Sequence, residues 1–381
     1  MKYTNDRTPA GVRGVLDTFS GCGLQSVNVF QGYAKNAYPW LISQHRSAVR
    51  KCQNSTPLRG WKSSMRDENI ALHRFAVFTA CCTALLIFVG GLVTSTQSGL
   101  SVPDWPTTYG RNMFAFPYSK WVGGIFYEHG HRLLASFVGF LTVILTIWMW
   151  AKERRRWVRW LSTAALGAVI LQGVLGGLTV IFLLPAWIST VHACLAQTFF
   201  CTVIALAVFT SPRWKRGLPL VKSRAESIPL QTLCAVTTAA VYAQLILGAL
   251  MRHTNAGLAI PDFPLALGHV IPPFTSNKIV IHFAHRVGAV VVATMIVWTF
   301  SRIARSYSDH RLLFRPALTM LVLVGIQLIL GAITVWTAKA VIPTTAHVLT
   351  GALVLGTSFL LTLRAYAMVV VSVSAEYRGA L

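Results

Sequence analysis

Eight stretches of this chain are apolar over about 20 residues, the length a helix needs to cross the hydrocarbon core of a bilayer. They lie near 73–94, 130–151, 158–183, 187–210, 229–251, 281–303, 313–336 and 343–370. Polar and charged positions collect between these runs, and they do so in alternation. Lys152, Arg154, Arg155, Arg156 and Arg159 follow the second run. Arg213, Lys215, Arg216, Lys222 and Arg224 follow the fourth, and Arg302, Arg305, Arg311 and Arg315 follow the sixth. The other connections hold only Arg111 and Lys120, Arg252 and Lys278, or Lys339. Basic loops stay on the cytoplasmic side. The pattern therefore predicts an all-α membrane protein with eight transmembrane helices, both termini cytoplasmic, and the 95–128 and 252–279 loops outside.

Composition agrees. Of 381 residues, 54% are hydrophobic and only 12% charged, about half the charged fraction of a soluble globular chain. The mean hydropathy is +0.57. The net charge of +23 is no sign of nucleic-acid binding, because the basic residues stand between apolar runs and not on polar helices or arms. Residues 1–69 differ: the first 68 hold ten Lys/Arg against four Asp/Glu, with no sustained period. A basic disordered tail, an organellar transit peptide and a misassigned start all fit that composition. Residues 373–381 read as a short C-terminal tail. Of the seven cysteines, Cys81, Cys82, Cys194, Cys201 and Cys234 fall in apolar runs and Cys22 and Cys52 in the tail. Neither outer loop offers a cysteine for a disulfide.

An internal repeat organises the rest. Residues 90–110, GGLVTSTQSGLSVPDWPTTYG, align without gaps on 248–268, GALMRHTNAGLAIPDFPLALG. His131-Arg132 then matches His285-Arg286, Gln172-x-x-Leu-Gly-x-x-Thr-Val matches Gln327-x-x-Leu-Gly-x-x-Thr-Val, and His192 matches His347. Four spans return the chain to its starting side, so the halves share one orientation. Two tandem, parallel-repeat four-helix bundles are expected, over 70–212 and 213–372. The two G-L-x-x-P-D-[WF]-P loops read as scaffold, with Gly and Pro at tight turns and Asp bracing them.

Four of eleven histidines obey the repeat: His131, His192, His285 and His347. An ionisable residue inside a span is costly and asks for a function. Each half places two imidazoles on even-numbered spans, in the outer half of the membrane. Such a pair can clamp a haem iron from both faces, whereas zinc asks for three or four ligands, usually with a carboxylate or thiolate. Small residues near the histidines (Gly130, Ala135, Ala193, Ala196, Gly288, Ala289, Gly351, Ala352) are expected to leave room for a macrocycle. The repeat breaks three residues before the first histidine of each half, where Glu128 faces His282 in the alignment. Positions i and i+3 share a helix face, so Glu128 is a candidate acid–base group beside one haem only. The alternative is a salt bridge to Arg132 at an exposed helix mouth. His129, Arg132, His282 and Arg286 are candidate supporting residues.

The segments S-G-L-S-V-P-D-W-P (98–106), E-H-G-H-R (128–132), A-G-L-A-I-P-D-F-P (256–264), H-F-A-H-R (282–286) and T-A-H-V-L-T-G-A (345–352), with His192 in mid-span, resemble the haem A synthase family over roughly residues 70–370. The resemblance implies an enzyme oxidising the C8 methyl of haem O to the formyl of haem A. It implies haem b on His285 and His347, substrate haem O near His131 and His192, and Glu128 as the catalytic acid. It further implies an integral protein of the bacterial plasma membrane, or alternatively the mitochondrial inner membrane. Its surroundings would be membrane lipid, an unidentified electron donor, haem O synthase and the cytochrome oxidase assembly machinery. Two departures stand out. An outer-loop cysteine pair found in many relatives is absent, and Val93-Thr94 occupies the end of span one where many relatives have Arg, while Arg252 is kept. Two other classes share some of these features. A redox-only b-type dihaem cytochrome would have no need of Glu128, and a haem or solute transporter would bind its ligand between the halves near mid-membrane.

Overall fold

A backbone in hydrocarbon must satisfy its own hydrogen bonds, so long apolar runs fold as helices. The structure, a computed structural model, describes residues 69–222 and 227–370; the basic N-terminal segment, with Cys22 and Cys52, and the 373–381 tail lie outside the described residues. Among the described residues eight helices are long and apolar enough to span a membrane. They are α1 (Ile70–Ser95), α2 (Gly124–Lys152), α3 (Arg156–Ile181), α4 (Ala186–Thr210), α5 (Leu230–His253), α6 (Asn277–Ser306), α7 (Arg311–Trp336) and α8 (Val341–Met368). A helical turn, Pro212–Arg216, follows α4, and a two-residue parallel ladder joins Val221–Lys222 to Val369–Val370.

Helix boundaries exceed the apolar runs where a polar cap sets them. Asn69 accepts the Leu72 N–H at 3.0 Å and starts α1. Ser276 accepts from Ile279 and starts α6. The α2 helix begins at Gly124, after Gly123 at φ 54°, six residues before the apolar run. His131 is therefore two turns inside a helix and not at its opening.

Helices α1 to α4 pack each on the next and α4 returns to α1; α5 to α8 close in the same way. The two rings meet through α1 on α8, α4 on α5 and α4 on α8. Small residues permit the close approaches. A Cβ on Gly91 would stand 3.3 Å from Thr345 of α8, and one on Gly356 of α8 would stand 2.8 Å from Ile204 of α4. Arg252 ties the same contact at one end, donating to Gly91 O at 3.0 Å and Ser95 Oγ at 2.8 Å on α1. An arginine of α5 thus serves the end of α1, where Val93-Thr94 stand.

Each ring has a dense apolar core away from its long loop. The first gathers Leu72, Val138, Leu145, Met149, Val203 and Leu206; the second gathers Leu230, Val241, Ile296, Ile303, Met320 and Leu355. These cores stop short of the histidines. No residue of α2 is buried between His129 and Val138, and none of α6 between His282 and Val292.

Candidate functional site

The long loops, 96–123 and 254–276, are built alike. Asp104 accepts the N–H groups of Tyr109 (2.7 Å) and Gly110 (2.8 Å) and the Thr107 hydroxyl. Asp262 accepts those of Leu267 (2.7 Å) and Gly268 (2.8 Å). The turns need Gly110 (φ 72°) and Gly268 (φ 78°) in the left-handed region that glycine tolerates. Partial burial pushes the Asp104 carboxyl up, but the Thr107, Gly110 and Tyr109 bonds outweigh it and hold the group below its usual value. The Gly268 and Leu267 N–H groups do the same to Asp262. Both aspartates are turn braces, as their sequence context suggests.

An arginine fastens each loop to the next helix. Arg132 donates to the carbonyls of Asp104 (2.7 Å), Thr107 (3.1 Å) and Val102 (2.8 Å). Arg286 donates to those of Leu265 (2.7 Å), Ile260 (3.0 Å) and Asp262 (2.7 Å). Beside each arginine stands the residue at which the repeat breaks. Glu128 accepts from Val102 N–H at 2.8 Å and from Arg132 at 2.8 Å. His282 has the Ile260 N–H 3.2 Å from Nδ1 and the Arg286 Nε–H 3.3 Å from Nε2, and a neutral imidazole can accept only one of the two. The ion pair weighed as the alternative role for Glu128 is present, but not at an exposed mouth: Glu128 is 3% exposed. Charged oxygens give it shorter and stronger bonds than the neutral imidazole of His282 makes.

His129 is not part of the histidine pairs. It is buried beneath the first loop, 3.2 Å from the Thr108 hydroxyl, with Trp121 and Phe116 against its ring. Trp105 of the same loop lies on α3, where a Cβ on Gly177 would come 2.3 Å from its indole.

The four repeated histidines occupy equivalent places, at the eighth residue of α2, the seventh of α4, the ninth of α6 and the seventh of α8. His131 and His192 lie within electrostatic range of each other, and so do His285 and His347. Each imidazole docks on a glycine of the preceding odd-numbered helix. A Cβ would stand 3.1 Å from His131 at Gly90, 3.2 Å from His192 at Gly176, 3.0 Å from His285 at Gly248 and 3.2 Å from His347 at Gly331. Sequence reasoning missed these glycines, although their i, i+4 spacing from Gln172, Gln244 and Gln327 was a visible signal. It also misjudged two others. Gly288 and Gly351 do not leave space for a ligand, because the Gln244 and Gln327 side chains fill it.

The donor set suits a macrocyclic iron. Among the described residues no three His, Cys, Asp or Glu gather as metal ligands, and the repeated histidines stand in pairs. Nδ1 of His131 and Nδ1 of His192 are buried and have no hydrogen-bond partner among the described residues. Buried imidazole nitrogens are costly unless something takes their lone pair or proton. Paired imidazoles on facing helices, above a packed apolar core, meet the axial-ligand needs of a haem.

Fold and site together define an eight-helix integral membrane protein with two pairs of inward histidines. Comparison with known proteins narrows that class. Residues 73–359 match the COX15-CtaA family, described as cytochrome oxidase assembly protein, and the chain belongs to that family. Among similar proteins are three named heme A synthase. The one from Halalkalibacterium halodurans is 28% identical over 284 residues, covering 73% of this chain and 92% of the relative. That from Shouchella clausii is 29% identical, with coverages of 67% and 83%. That from Listeria monocytogenes serotype 4a is 26% identical, with coverages of 72% and 88%.

Proposed function

We propose that the protein is a haem A synthase, a membrane oxidoreductase that converts the C8 methyl of haem O to the formyl of haem A for cytochrome oxidase assembly. The observation that carries this reading is the pair of equivalent histidines in each helix ring, with the carboxylate of Glu128 beside only one pair. His285 and His347 would hold a b-type haem, and His131 and His192 the substrate haem. When bound, the first group supplies a one-electron redox centre and the second presents the methyl to be oxidised.

The chain's own residues do the rest. The glycine cradles let imidazoles approach neighbouring backbones, and the apolar cores keep water from below. Arg132 and Arg286 hold the long loops over the histidine level. Glu128 is the group able to accept or return a proton there. Each of its oxygens keeps a second lone pair beyond the bonds to Val102 and Arg132.

The same reading covers the architecture. The matching loop braces, arginine anchors and histidine depths support two parallel tandem bundles, 70–212 for substrate and 213–372 for haem b. The charge alternation supports cytoplasmic termini and outer loops in a bacterial plasma membrane. Membrane lipid surrounds the protein. Its protein partners would include an electron donor and haem O synthase.

Co-expression with a haem O synthase, followed by pigment extraction from the purified protein, tests this. Haem B together with haem O or haem A is expected. Haem B alone would point to an electron-transfer cytochrome, and no haem to a transporter.

A further inference from the structure

Arg252 marks a second break in the repeat. In the gapless alignment of 90–110 on 248–268 its counterpart in α1 is Thr94, so this cation is not part of the frame both halves share. It lies in the last turn of α5, half-buried where the two rings meet. Its Nη2 makes the bonds to Gly91 O and Ser95 Oγ of α1, and Ser95 Oγ in turn accepts the Thr345 hydroxyl of α8 at 3.0 Å. Thr345 stands two residues before His347, and Arg252 is within electrostatic range of that imidazole. The arginine thus reaches the level of the second histidine pair.

Its charge is unanswered. The carboxylates among the described residues are Asp104, Glu128, Glu153, Asp262 and Asp309. The two loop aspartates brace their turns, Glu128 pairs with Arg132, and Glu153 pairs with Arg155 and Lys215. Asp309 follows α6, at the opposite end of the helices from the end of α5. Nor do the N–H groups on Nε and Nη1 of Arg252 bond to anything among the described residues. A charge held within a membrane protein away from bulk water normally has a partner, and an unpaired one is costly.

We infer that Arg252 binds a carboxylate of the haem, gripping one propionate of the group held by His285 and His347. This rests on the haem reading above. The Nη2 bonds fix the guanidinium to α1, and the donors on Nε and Nη1 remain for a carboxylate oxygen. Such a charge-assisted bond is about twice as strong as a neutral one. Thr94 offers no such charge to the first pair.

The test uses full-length protein made in haem-deficient cells and loaded with haem B or with its dimethyl ester, which keeps iron and macrocycle but loses both propionate charges. Retention is followed by the low-spin spectrum. Wild type should hold haem B about ten- to hundredfold longer than the ester, the worth of one charge-assisted bond. Arg252→Gln should narrow that ratio to a few-fold at most. The midpoint potential of haem B should also fall in the variant, because a nearby cation favours the reduced haem. Arg252→Met, apolar and of similar length, carries the same expectations should Arg252→Gln not accumulate. Loss of the α1 clamp alone would loosen both haems alike and leave the ratio as in wild type. That outcome would overturn the inference, and so would wild type holding the ester as long as the free acid. Wild type taking up neither haem would instead sink the haem reading itself.

Discussion

Replacing Glu128 with histidine would impose on the first half the arrangement the second half already uses. His282 stands between the Ile260 N–H and Arg286 as Glu128 stands between the Val102 N–H and Arg132. Glu128→His should therefore keep the loop anchored while removing the carboxylate. Two bonds at 2.8 Å would become at most one of 3.2–3.3 Å, because a neutral imidazole accepts on one nitrogen only. At about 1.5–3 kcal/mol for a charge-assisted bond, the loss of one of the two costs about 1.5–3 kcal/mol. Arg132 keeps three carbonyl acceptors throughout. Glu128→Ala removes both bonds and breaks a buried ion pair, a loss of about 3–5 kcal/mol. Alanine alone thus confounds fold with chemistry, and histidine separates them. Loss of a positioned proton-transfer group slows a reaction about 10²–10⁴-fold. Membranes of Glu128→His cells should contain normal haem B per protein and at most about one hundredth of the wild-type haem A. Haem A within a few-fold of wild type, normalised to haem B, would show that Glu128 only fastens the loop.

Three further outcomes are expected. His285→Ala or His347→Ala should abolish the low-spin bis-imidazole spectrum, since each leaves the iron one axial ligand; full spectra in both variants would remove these residues as ligands. Reporter fusions at Tyr109 and Ala266 should read outside and fusions at Arg155, Arg216 and Arg305 inside; the opposite pattern would invert the topology. Burial raises the Glu153 carboxyl, but hydrogen bonds from Arg155 and the charges of Arg155 and Lys215 outweigh it, holding the group at about 2. Its stabilisation is then complete above the unfolded value of about 4.3 and lost as pH falls from there through about 2. It amounts to about 3 kcal/mol at most. The thermal midpoint in detergent should drop over that window, and Glu153→Gln should flatten the drop; an unaltered pH profile would show that Glu153 contributes nothing.

Spans and histidines were legible in the sequence because hydropathy is local and the repeat is explicit. Every apolar run became a helix within a few residues, except that α2 extends back to Gly124 past polar Glu128 and His129. Hydropathy marks where lipid begins, whereas the helix ends where Gly123 turns the backbone. The loop aspartates were legible as turn braces for the same local reason. The cradles were not. Whether Gly130 or Gly90 matters to His131 depends on which helix faces which, and only packing decides that. A Cβ on Gly130 would meet nothing within 4 Å, while one on Gly90 would crowd the imidazole. His129 shows the same limit: adjacent in sequence to the site, it turns instead under the loop against Trp121.

Where two halves of a chain match in sequence, their differences are more informative than their likenesses. The hairpins carry the same cradles, the loops the same aspartate braces, and the arginines bond the same backbone positions, so these features belong to the frame. Two departures from that frame fall on one hairpin, α1–α2: a carboxylate where the other half has an imidazole, and Leu86 where its counterpart is Gln244. The first adds a group able to move a proton. The second replaces an amide, which in α5 donates to the His285 backbone oxygen, with an apolar side chain. A haem kept for electron transfer gains nothing from the first change, since it needs no proton acceptor at its edge, whereas a haem that must react gains from it. Restoring symmetry with Glu128→His should therefore leave haem O bound and unreacted.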